Sequence, residues 1–128
     1  MNDYISVYTR QNAIDDGIFT DVSEVAKFHG FTIPVALTSN LYNSHIKNYE
    51  DQEQTTRNLN AFLAELYKKI LNAFVAEINN EISHLDTNDN MIICTFTFTE
   101  PTKVWAIVEP QSPTDSSLAM NVMLPEDY

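Results

Sequence analysis

Hydrophobic positions follow a helical period in the middle of the chain and a strict alternation toward its end. From about Thr56 to Leu85, the residues Leu59, Phe62, Leu63, Leu66, Ile70, Phe74, Ile78 and Ile82 recur every three or four positions. That is the spacing of one helical face. Glu65, Lys68, Lys69, Glu77 and Glu81 take the wet side, while Tyr67, Leu71 and Val75 widen the apolar stripe. A stripe this broad predicts a long amphipathic helix packed on a sheet or bundle. After a turn-like tract from Asp86 to Asn90, Ile92, Cys94, Phe96 and Phe98 alternate with Thr95, Thr97 and Thr99. Val104, Ala106 and Val108 then alternate with Lys103, Trp105 and Ile107. A polar loop from Pro110 to Ser117 precedes a third alternating run of Leu118, Met120, Val122 and Leu124. Three such runs predict an antiparallel meander whose apolar face the long helix covers.

The first third of the chain is denser. Thr9 is placed to cap a helix over Arg10 to Asp16, with Gly17 as its stop. Asp21 or Ser23 caps a second helix from Glu24 to His29, stopped by Gly30. Pro34 holds Ile33 extended, and Val35-Ala36-Leu37 is a short apolar run. Thr38 caps a third helix with Leu41, Tyr42, His45, Ile46 and Tyr49 at helical spacing, and residues 50–57 read as a connector. Short helices, a long helix and then strands make an α+β pattern. The expected fold is short N-terminal helices and one long amphipathic helix on a C-terminal antiparallel sheet of about three strands. At 128 residues the chain is expected to be a single domain, residues 1–128.

Charge changes this picture most. Eighteen acidic residues against seven basic ones give a net charge of −11. That field repels nucleic acid and anionic membranes and attracts basic protein surfaces. The basic residues are scattered, so direct binding to nucleic acid is not expected. A single cysteine, Cys94, leaves no disulfide framework, and no signal-like or membrane-spanning segment is evident. A soluble cytoplasmic protein is expected.

Chemistry-bearing motifs are sparse. His29, His45 and His84 lack metal-ligand spacing, and two isolated glycines cannot build a phosphate loop or a nucleophile elbow. No cofactor or metal is expected. Paired carboxylates remain: Asp15 and Asp16 with Asp21, and Glu126 with Asp127. Asp15 and Asp16 fall at a predicted helix C-terminus, where acids oppose the helix dipole. Such pairs can serve acid–base chemistry or hold a divalent ion. An enzyme using Asp16, Asp21 and Arg10 is accordingly the third alternative.

The stretch YTRQNAIDDGIFTDVSEVAKFHGFTIPVALT, from Tyr8 to Thr38, and the ending MNVMLPED resemble an uncharacterised family of small bacterial proteins. Its members read "YTRxxAIxDGxLxDVSxxAxxxGFxxPVALT" and close on "PGD…ITIMLPED"; here Glu109-Pro110-Gln111 stands where the family often has Pro-Gly-Asp. The resemblance implies a setting on plasmids, phages and other mobile elements, and carries no activity. With the charge, it leads to an expected non-catalytic inhibitor of a basic, nucleic-acid-handling host defence protein. That reading is of the anti-CRISPR or anti-restriction type, with carboxylates mimicking DNA phosphates. An accessory protein of plasmid maintenance or transfer, acting through a protein partner, is the alternative. The expected partner-binding residues are Arg10, Asp15, Asp16, Asp21, Glu24, Glu126 and Asp127. A homodimer contact through Trp105, Phe31 or the long helix stays open.

Overall fold

The computed structural model describes residues 9–78, 85–86 and 91–128. Thr9 caps helix α1 (Arg10–Asp15) in a reciprocal box: the Asn12 backbone N–H donates to its hydroxyl, and Asn12 Oδ1 accepts the Thr9 N–H. Gly17, at φ 81°, turns the chain into strand β1 (Phe19–Asp21). Asp21 Oδ1 accepts the Ser23 N–H at 3.0 Å, but neither Asp21 nor Ser23 is the expected cap. Helix α2 (Ser23–Lys27) begins after Val22, which makes no side-chain capping bond, and it ends two residues before His29. Strand β2 (Val35–Thr38) is buried throughout. Thr38 caps α3 (Ser39–Leu41), which passes directly into one π-helical turn, Tyr42–Ile46. The long helix α4 (Gln52–Ile78) follows, then the two-residue β3 (Leu85–Asp86). Strands β4 (Met91–Thr97), β5 (Pro101–Ser112) and β6 (Asp115–Met123) complete the sheet, and a 3-10 turn, Pro125–Asp127, ends the chain.

The architecture is α+β, and its sheet runs in the order β1-β2-β6-β5-β4-β3. Five strands build it, with the two-residue β3 bridging onto its outer edge, rather than the expected three. The meander β4–β5–β6 is antiparallel as expected, but β2 pairs with β6 in parallel, so the sheet is mixed. The N-terminal strands escape the alternation test because they are three and four residues long and find their partners far away in sequence.

The core lies between α4 and one face of this sheet. Leu59, Phe62, Leu63, Leu66, Ile70 and Ala73 of α4 meet Ile92, Cys94, Phe96, Val104, Ala106 and Val122. Phe62 stacks on Phe96 at 4.6 Å between ring centroids. Gly30 packs here too: at φ 103° a side chain is strained, and an added Cβ would sit 2.7 Å from the Tyr67 ring.

Several boundaries move. The long helix starts at Gln52 because Asp51 accepts the Gln54 N–H and caps it, so most of the expected connector is helical. At its far end Leu85 is strand, while Glu81, Ile82 and the turn residues 87–90 lie outside the described residues. Ala73 is buried where Phe74 was expected, and Leu71, Phe74 and Val75 are exposed, because the sheet covers a narrower arc of α4 than the apolar stripe spans. The third helix ends at Ile46, where the Lys47 N–H closes the π turn on Tyr42, and Tyr49 is exposed. The expected loop from Pro110 to Ser117 is mostly strand, since Ser112 pairs with Asp115 and only residues 113–114 turn. Leu118 is exposed on the extended end of β6.

Candidate functional site

The register of the sheet assembles a polar site on the face turned away from α4. Asp21 stands opposite Ala36, Ala36 beside Asn121, and Asn121 opposite Ile107. Side chains two apart on a strand share a face. Asp21, Asn121 and Glu109 therefore belong to the same face, on three different strands. Helix α1 lies over them, and its first residue supplies Arg10. The Arg10 Nε–H donates to Asn121 Oδ1 at 2.8 Å, and Asn121 Nδ2 donates to Glu109 Oε1 at 3.3 Å. Asn121 is 2% exposed, so its amide is a buried link that uses both its acceptor and its donor. Burial pushes the Arg10 guanidinium below its ordinary value, while Asp21 and Glu109 oppose that shift. Arginine stays charged all the same. Arg10 Nη2 is the one buried side-chain polar atom without a hydrogen-bond partner among the described residues.

The C-terminal turn closes the site's second wall. Asp127 Oδ2 accepts the Thr38 hydroxyl at 2.7 Å and the Leu124 N–H at 3.2 Å, and Asp127 Oδ1 accepts Asn40 Nδ2 at 3.0 Å. Thr38 meanwhile caps α3 by accepting the Leu41 N–H at 3.3 Å. One carboxylate thus ties the end of β2, the start of α3 and the last turn together.

Between these walls lies a cleft of about 910 Å³. Arg10, Asn121 and Glu109 line it, Ser39, Asn40 and Asp127 stand to one side, and Ser112 and Ser116 belong to the hairpin side. Ile18, Phe19, Pro113 and Met123 add apolar surface. A bulge in β5 between Pro110 and Ser112 adds Gln111 to the lining. Bulges commonly re-aim side chains beside sites.

Of the seven expected site residues, the cleft takes in Arg10 and Asp127, with Asp21 acting on Arg10 from the adjoining strand. Asp15 accepts from Gln11 on the exposed side of α1, and Asp16 is the exposed C-cap of that helix. Glu126 is exposed on the last turn. Glu24 pairs with Lys27 at 3.1 Å on α2, outside the cleft. Asn121, Thr38 and Asn40 were missed as site residues, and Glu109 was noted only for its loop. Asn121 did leave a signal: a carboxamide between Met120 and Val122 interrupts an apolar strand.

Charge divides along the same lines. Residues 9–21 and 109–128, which supply α1, β1, the hairpin tip and the last turn, carry Asp15, Asp16, Asp21, Glu109, Asp115, Glu126 and Asp127 against Arg10 alone. The other six bases, Lys27, Lys47, Arg57, Lys68, Lys69 and Lys103, fall between these segments, among ten further carboxylates. Among the described residues, no group of three or more His, Cys, Asp or Glu side chains could hold a metal ion. Cys94 is buried under α4, and that burial pushes its thiol above the ordinary value. His29 bonds Asn60 at 2.7 Å, and His45 stacks on Phe98 at 4.3 Å. No described helix is long and apolar enough to cross a membrane.

The chain belongs to a family of unknown function (DUF6573), whose sequence profile matches residues 1–128. No curated protein and no solved structure matches it.

Proposed function

We propose that this family member is a non-catalytic acidic binding protein of a mobile genetic element that blocks a basic, nucleic-acid-handling host defence protein. One observation carries the reading. The cleft sets Glu109 and Asp127 in its lining and Asp21 beside it against the half-buried Arg10, and the segments that wall it also carry Asp15, Asp16, Asp115 and Glu126. Surfaces of one sign steer partners of the other and repel nucleic acid. A channel built to hold phosphates is the natural complement of such an array. The cleft's own chemistry agrees with binding: Asp127 already accepts three donors, and Arg10 is committed to Asn121. Neither is poised as an acid, a base or a nucleophile.

DNA cleavage by a panel of CRISPR effector nucleases and restriction enzymes, with the protein in micromolar excess, tests the reading. The expected result is inhibition of at least one, weakening as salt rises and relieved by Asp15→Asn with Asp16→Asn and Asp21→Asn. Undiminished cleavage across the panel sinks it.

A further inference from the structure

An acidic face alone would favour any cation, but the cleft is more selective. Its volume of about 910 Å³ falls within the ~300–1,000 Å³ range of ligand sites. Its two carboxylates are not equivalent. Asp127 is held by three donors, whereas exposed Glu109 accepts a single long hydrogen bond from Asn121. A carboxylate offers about four lone-pair sites. Glu109 therefore has acceptor capacity to spare, and the Asn121 amide, itself bonded to Arg10, reaches it from one side. The lining around it supplies more oxygens, from Ser39, Asn40, Gln111, Ser112 and Ser116. Ile18, Phe19 and Met123 offer apolar surface for an aliphatic stem.

We propose that this cleft receives one arginine side chain of the basic partner, with Glu109 as its counter-charge. The proposal names the contact within the function proposed above and rests on that reading. A guanidinium has five donors in a planar fork, which a carboxylate together with hydroxyl and amide oxygens of the lining can satisfy. A lysine ammonium presents three donors and uses fewer of them. An anionic guest is disfavoured: it would meet both Glu109 and Asp127, and the Arg10 guanidinium in the lining is partly buried and already bonded to Asn121.

The test uses the full chain and a capped alanine hexapeptide with one central arginine, followed by amide chemical shifts. The arginine peptide is expected to shift residues 18–19, 38–40 and 109–116 saturably, and its citrulline counterpart, neutral but of the same shape, is expected not to. Glu109→Gln should weaken binding by about tenfold, as loss of a charge-assisted pair does. Ser116→Trp, which fills the cleft from an exposed position, should abolish it, while Glu53→Gln on α4 should leave it unchanged. Unchanged thermal melting shows that the variants fold. Equal binding of the citrulline peptide, preference for a glutamate peptide, or shifts outside the cleft would overturn the proposal. The nuclease panel separates the two claims. Inhibition that survives both Glu109→Gln and Ser116→Trp removes the arginine site and leaves the inhibitor. Arginine binding in the cleft without any inhibition removes the inhibitor and leaves the site.

Discussion

Gly17 and Gly30 both stop helices at positive φ, yet they differ in what surrounds them. An added Cβ at Gly17 meets nothing within 4 Å, whereas at Gly30 it runs into Tyr67. Gly17→Ala should therefore cost about 1 kcal/mol of conformational strain. Gly30→Ala should cost about 2–3 kcal/mol, because overpacking adds to that strain; denaturant melts of the pair check the order. The need for glycine at both stops was legible in the sequence, since it depends only on local backbone. The closeness of Tyr67 was not, since that residue is 37 positions away. Asn121 makes the same point, as its partners come from α1 and β5. Asn121→Ala should cost about 2–3 kcal/mol by leaving the charged Arg10 without its acceptor. Asp115 is fully exposed, and the Ser117 hydroxyl and N–H donate to it, holding its carboxyl below the ordinary value. A depressed folded value gives stabilisation that is present above the unfolded value and lost as pH falls through the folded one. In an NMR titration, Ser117→Ala should move the Asp115 midpoint upward.

At the scale of elements, the long helix and the three-strand meander were readable because each repeats its period over many residues. Leu66 is fully buried on the α4 stripe, so Leu66→Ala should cost about 2–5 kcal/mol by leaving a cavity. The same substitution at Leu71, five residues on and exposed, should cost under about 1 kcal/mol. Comparing the two measures the arc that the sheet covers. Strands β1 and β2 hid because parallel and edge pairings leave little mark on three or four residues. The hairpin tip hid for another reason: Ser112 and Asp115 pair through main chain, which hydropathy does not record. The start of α4 was misplaced although Asp51 and Gln54 stand in capping spacing, a signal that a run of polar residues obscured.

At the scale of the whole molecule, the chain's two family-like stretches are parts of one site. Thr38 closes the first, Asp127 belongs to the second, and their hydrogen bond of 2.7 Å joins them across 89 positions. Sequence alone left the two stretches far apart, and only the sheet order brings them together. Asp127→Ala should loosen this junction and lower stability by about 2–3 kcal/mol, since three donors lose their acceptor. The same convergence sets Glu109 and Asp127 in one cleft with Asp21 beside it, and the functional account depends on that acidic balance. The rate of DNA cleavage by the nuclease panel, measured across a salt series with wild-type protein and with Glu109→Gln, tests this most directly. The account predicts inhibition of a target nuclease that fades with salt and is weakened about tenfold by the substitution. Cleavage by every nuclease at its full rate, even at low salt, would contradict it.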